Sequence, residues 1–260
     1  MKQRIITAII ALVVLGILLF AMPPLVVHIA LGALIAAGAW EWSGFLGNSG
    51  TGTRMAFVAL IAALLAVTIL FFSAWTEQIL MLSLAWWLVA LIWAFLFPTP
   101  IPEAMRWIAG ILVLVPLYIA LMILYTADPM ILLFALLIVW VADSGAYFAG
   151  KTMGRVKLAP QISPGKTWEG VIGGLIAVIL LTVLRSVWVE TDLAVLVPFC
   201  LAVGALSIVG DLTVSMFKRT AGVKDSGTLF PGHGGVLDRI DSVAAAAPLF
   251  ALGLSWVGLK

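Results

Sequence analysis

The chain has 260 residues, of which 64% are hydrophobic and 10% charged, with a formal net charge of +2. A soluble domain is closer to half apolar and a quarter charged, so polar surface is too scarce here to cover a water-soluble globule. The single cysteine, Cys200, excludes an internal disulfide and a metal site built on thiolates.

Bilayer helices account for such a composition, because about 20 mostly apolar residues at about 1.5 Å rise each cross the hydrocarbon core. Hydropathy predicts nine spans, near 5–21, 24–46, 55–73, 79–97, 106–125, 130–150, 169–189, 193–217 and 236–257. The expected fold is therefore all-α, a polytopic integral membrane protein. The first span starts with basic residues before an apolar core, as a signal peptide does. No small-x-small cleavage site precedes Met22-Pro23-Pro24, so it reads as an uncleaved helix. Turn chemistry marks the breaks at Gly47-Asn48-Ser49-Gly50, Pro98-Thr99-Pro100 and Asp128-Pro129. Residues 1–128 read as scaffold helices and 129–260 as catalytic helices with polar loops, the whole forming one continuous membrane domain.

Basic residues set the orientation. With the N-terminus cytoplasmic, the inner segments hold Lys2, Arg4, Arg54, Arg106, Lys151, Arg155, Lys157, Lys166, Lys218, Arg219, Lys224 and Arg239. Only Arg185 and Lys260 fall outside, so the positive-inside rule gives N-in and C-out. The two long polar linkers, 150–167 and 218–235, then both face the cytoplasm.

Chemistry-bearing residues are sparse in the first half. Glu41, in GAWEWSGFLG, reads as an interfacial carboxylate reaching water beside an aromatic belt. Asp143, inside the sixth span, is costly at hydrocarbon depth and so is either functional or paired with a cation. Ser163-Pro164-Gly165-Lys166-Thr167 superficially resembles a phosphate loop, but no glycine stands five residues before Gly165 and no strand is expected there. What remains is a Pro-Gly turn with a lysine and a threonine at a helix N-terminus, where backbone N–H groups favour an anion.

The densest polar stretch runs from Asp211 to Ser242. Asp211 and Ser215 are spaced i, i+4 on the eighth span; Asp238 and Asp241 are spaced i, i+3 on the ninth. If the two spans are neighbours, three carboxylates meet near the inner boundary. They require a cation or protons. An oxygen-only donor set suits Mg²⁺, which binds through one or two carboxylates plus substrate phosphates. Lys218, Arg219, Lys224 and Arg239 stand ready for phosphate oxygens. Gly234 and Gly235 let backbone approach closely. His233 suits hydrogen bonding or loop shaping, since a phosphate monoester, with a second pKa of about 6, needs no strong base.

The run from Ser215 through Lys218-Arg219, Lys224-Asp225, Pro231-Gly232-His233-Gly234-Gly235 and Asp238-Arg239-Ile240-Asp241 resembles the signature of phosphatidate cytidylyltransferases over its twenty-seven residues. Asp143-Ser-Gly-Ala-Tyr147-Phe-Ala-Gly150 and Ser163-Pro-Gly-Lys166-Thr-Trp-Glu169-Gly170 are similar to the family's other characteristic segments. The resemblance implies that CTP and phosphatidate give CDP-diacylglycerol and pyrophosphate in the bacterial inner membrane, with no nucleic acid involved. It also implies a homodimer and a cation centre at Asp211, Asp238 and Asp241 that holds K⁺ beside Mg²⁺. On that reading those aspartates and Lys218 are catalytic. Substrate falls to Ser163, Lys166, Lys218, Arg219, Lys224, Asp225, His233, Gly234, Gly235, Arg239, Asp143 and Glu169. The rivals are a cytidylyltransferase for another phosphorylated lipid and a cation-coupled transporter. A transporter would place its acids near the midplane rather than clustered at one face.

Overall fold

The computed structural model describes residues 2–47, 50–70, 72–190, 192–229 and 234–258, without the side chains of 2–6, 8 and 72–74. Among them lie nine α-helices: α1 (Lys2–Ala21), α2 (Pro24–Trp42), α3 (Thr51–Leu70), α4 (Phe72–Leu96), α5 (Glu103–Ala127), α6 (Pro129–Met153), α7 (Trp168–Arg185), α8 (Leu193–Thr220) and α9 (Leu237–Gly253). A single 3-10 turn, Ser43–Phe45, extends α2. Seven helices, α2 to α8, are long and apolar enough to cross a membrane. α1 carries a shorter apolar stretch, Ile9–Ala21, and α9 has 17 residues.

Local chemistry starts the helices where the turn signals stand. Asp128 accepts from Met130 N at 2.7 Å with Pro129 in the first turn of α6, and Asp192 accepts from Ala194 N at 2.9 Å to start α8. Apolar side chains also face outward. On α7, Ile172, Ile176, Leu180 and Leu184 are each more than half exposed, an i, i+4 stripe suited to lipid rather than water.

α9 forms the centre of the bundle. It packs along α8 and against α5, α4 and α6, and most of its residues are buried. Helices α6 and α7 lie against each other through small residues. A Cβ on Gly173 would stand 2.2 Å from the Ala149 Cβ, and one on Gly174 2.6 Å from the Ala142 carbonyl oxygen. Small side chains bring two membrane helices into backbone contact in this way.

The linker between α6 and α7 departs from the all-loop expectation. It forms a two-stranded antiparallel hairpin, β1 (Lys157–Ala159) and β2 (Ser163–Thr167), with Lys157 opposite Thr167 and Ala159 opposite Ser163. Pro164-Gly165 is strand, not turn. The reversal falls at residues 160–162, where Ile162 N donates to the Ala159 carbonyl. Proline is tolerated because a two-stranded sheet has only edges.

Candidate active site

The polar end of the bundle holds a cleft of about 700 Å³. Its walls come from α6, the hairpin, α7, α8 and α9, and the acids Asp143, Asp211, Asp225, Asp238 and Asp241 all line it. So do Lys151, Lys166, Lys218 and Arg239.

Asp211 sits one turn before Ser215 on α8, and the Ser215 hydroxyl donates to its Oδ1 at 3.1 Å. Its Oδ2 takes Lys166 Nζ at 2.8 Å. Lys166 is the penultimate residue of β2, just before α7, whose first turn is capped by Thr167, accepting from Gly170 N at 3.1 Å. The hairpin therefore delivers a lysine sideways onto α8.

Asp238, in the first turn of α9, is surrounded by donors. Lys218 Nζ donates to Oδ1 at 2.8 Å, and Oδ2 accepts from Ser226 N at 3.0 Å and Gly235 N at 2.9 Å. Asp241, one turn on, is 8% exposed and accepts from Ser242 N at 2.8 Å. α8 and α9 touch backbone to backbone beside it, since a Cβ on Gly210 would stand 2.4 Å from the Asp241 carbonyl oxygen. Asp143 enters from α6, with Ser242 beside it and Asp211 and Lys166 within electrostatic reach.

Other residues expected at the site stand elsewhere. Glu169 faces the hairpin entry, where both its carboxylate oxygens accept from Val156 N at 3.1 and 3.2 Å. Arg219 donates through Nε to the Ile162 carbonyl at 3.1 Å, tying α8 to the hairpin turn. Ser163 pairs with Ala159 in the hairpin, and Lys224 is exposed on the loop after α8. None of these four lines the cleft. Gly234 and Gly235 lie against Asp238. His233 lies outside the described residues.

One contributor was read differently from the sequence. Glu41 is buried rather than reaching water. Its Oε2 accepts from the Ser226 hydroxyl at 2.9 Å and Leu237 N at 2.8 Å, and its Oε1 from Val236 N at 3.0 Å. The available signal was an acid between two tryptophans with no basic residue one helical turn away. Its partners, mostly backbone amides nearly two hundred positions on, carry no signature.

The donor chemistry suits a hard cation. The described residues lining the cleft offer carboxylate oxygens, with no cysteine or histidine among them. Among the described residues, Lys166 and Lys218 pair with Asp211 and Asp238 of the cleft. Among the described residues no three acids are gathered into one coordination group, and Lys166 and Lys218 occupy oxygens of Asp211 and Asp238.

A second cavity of about 480 Å³ adjoins this cleft. It runs between α4, the hairpin and α8, is lined mainly by apolar side chains, and shares Leu158, Val171 and Ile208 with the polar cleft. A cavity of about 800 Å³ at the opposite end of the bundle, around Phe134, Leu181 and Arg185, touches none of the candidate residues.

Acids and lysines around one cleft, set in an apolar bundle and sharing a wall with an apolar groove, suit a substrate with a charged head and a greasy body. The chain belongs to the cytidylyltransferase family, whose model matches residues 2–257. It is 40% identical over 265 residues to the phosphatidate cytidylyltransferase of Pseudomonas aeruginosa, covering 98% of this chain and 97% of that protein. It is 35% identical over 288 residues to that of Haemophilus influenzae, covering 96% and 97%. A Staphylococcus aureus phosphatidate cytidylyltransferase is 48% identical over a shorter stretch of 120 residues, 45% of this chain and 46% of the relative.

Proposed function

We propose that the protein transfers the cytidylyl group of CTP to phosphatidate, giving CDP-diacylglycerol and pyrophosphate for phospholipid biosynthesis at the cytoplasmic face of a bacterial inner membrane. The observation that carries this reading is the shared wall between the charged cleft and the apolar groove at Leu158, Val171 and Ile208. A lipid phosphate can lie among the lysines while an acyl chain stays in apolar surroundings. The names of the two relatives aligned over nearly their whole length supply the substrates.

A phosphatidate phosphate oxygen attacks the α-phosphorus of CTP in line. The new P–O bond forms as the bond to the bridging oxygen of the β-phosphate breaks, and pyrophosphate leaves with that electron pair. The nucleophile is already an anion, so the protein's work is positioning and charge stabilisation. Lys166 and Lys218 exchange carboxylate partners for phosphate oxygens, and Arg239 lines the same cleft. Mg²⁺, when bound, neutralises phosphate charge and orients the displacement. Asp211, Asp238 and Asp241 would hold it, with Asp143 on the facing wall and K⁺ as a second cation.

The proposal also includes a homodimer, supported by the family resemblance alone and testable by mass measurement in detergent. Purified protein given CTP, Mg²⁺ and phosphatidate should release pyrophosphate and form CDP-diacylglycerol. Well-folded protein that makes neither product contradicts the reading. Chelation should abolish turnover and added Mg²⁺ should restore it. Activity that survives chelation contradicts the cation assignment.

A further inference from the structure

We infer that Glu41 is a positioning residue for the catalytic loop, a role that rests on the cytidylyl-transfer reading above. It belongs to α2, far from the cleft in sequence, and does not line it. Yet its carboxylate draws together two parts of the segment joining α8 to α9. The Ser226 hydroxyl comes from within the segment; Val236 N and Leu237 N come from its junction with α9.

Asp238 grips the same two parts of the segment, through Ser226 N and Gly235 N. Residues 226 and 235–237 are thus held between two carboxylates, one structural and one in the cleft. The loop is built for this. A Cβ on Gly227 would stand 2.3 Å from Glu41 Oε1, and one on Gly235 2.2 Å from Glu41 Oε2. Only glycine at both positions lets the carboxylate enter.

Glu41 is itself held rigidly. Trp42 Nε1 donates to the Arg106 carbonyl at 2.9 Å, and its ring lies 5.0 Å from that of Phe217 on α8. Arg106 in turn donates to the Phe45 and Ile101 carbonyls. The scaffold half of the chain therefore fixes the end of α2, and Glu41 passes that rigidity to the start of α9. There the Asp238 carboxylate, Lys218 and Asp225 face the cleft. A buried carboxylate accepting three donors forms strong, directional hydrogen bonds.

Glu41→Gln tests this, because it keeps the volume but turns an amide N–H toward a donor. In purified full-length protein, kcat should fall about a hundredfold, the scale of a small misplacement of catalytic groups. The KM for phosphatidate should hold within about threefold, since Glu41 touches none of the groove that receives the lipid. Trypsin cleavage after the exposed Lys224 should quicken about tenfold, because the released segment opens locally, while thermal unfolding shifts little. Ser226→Ala, which removes one of the three donors, should move kcat and cleavage the same way by less.

Wild-type kinetics and cleavage in Glu41→Gln would overturn the inference. So would an inactive Glu41→Gln that melts early and is digested throughout, beside a Ser226→Ala that behaves as wild type. A wild type that makes no CDP-lipid would instead remove the cytidylyl-transfer reading, and the Lys224 cleavage rates would still judge the clamp.

Discussion

Asp238 is the most fully engaged acid of the cleft, with one oxygen on Lys218 and the other on two backbone amides. Lys218 is correspondingly buried, its side chain 11% exposed beside a partner at 9%. Removing one member of such a pair costs about 3 kcal/mol, because the other is left as an uncompensated buried charge. Lys218→Met should therefore lower the thermal unfolding midpoint, and adding Asp238→Asn should recover part of the loss. A double variant that melts lower than Lys218→Met would show that the pair is not the source. Asp241 bears on chemistry instead. Asp241→Asn should reduce turnover by at least about a hundredfold, the usual scale for lost electrostatic stabilisation, with the unfolding midpoint kept. Retained turnover would take Asp241 out of the cation centre.

At the scale of elements, the cleft depends on how closely α6 and α7 approach. Gly173 stands against Ala149, and α6 and β2 bring Asp143 and Lys166 into the same cleft. Gly173→Leu overfills this contact. It should cost about 1–3 kcal/mol by overpacking and depress activity with stability, measured by melting and product formation on the same preparation. An active variant of unchanged midpoint would mean that the helices have room to part. The helices themselves were legible in the sequence, because hydropathy, Asp128-Pro129 and the spacing of Asp211, Asp238 and Asp241 are local patterns. The hairpin was not, since three- and five-residue strands in a polar linker leave no periodicity to read. Nor was the Lys166–Asp211 pair, which exists only because that hairpin turns the lysine toward α8. Glu41 was misread for a related reason: two of its three donors are backbone amides, and those look alike in every sequence.

At the scale of the whole molecule, both halves of the chain contribute, since α4 lines the apolar groove beside the cleft. Helices α2 and α5 build a rigid frame around Trp42 and Arg106, and α6 to α9 build the cleft that the frame steadies. The topology proposed from the basic residues, with the cleft facing the cytoplasm, is open to a direct test. Lys224→Cys should react with a membrane-impermeant maleimide only after the cells are permeabilised, whereas Glu190→Cys should react in intact spheroplasts. The reverse pattern would invert the topology. The central claim, cytidylyl transfer onto a lipid phosphate, is tested most directly with CTP labelled separately at its α- and γ-phosphorus. Purified protein with phosphatidate and Mg²⁺ should move the α label into lipid and the γ label into pyrophosphate. Lipid without label from folded, dispersed protein, or lipid carrying the γ label, would contradict the account.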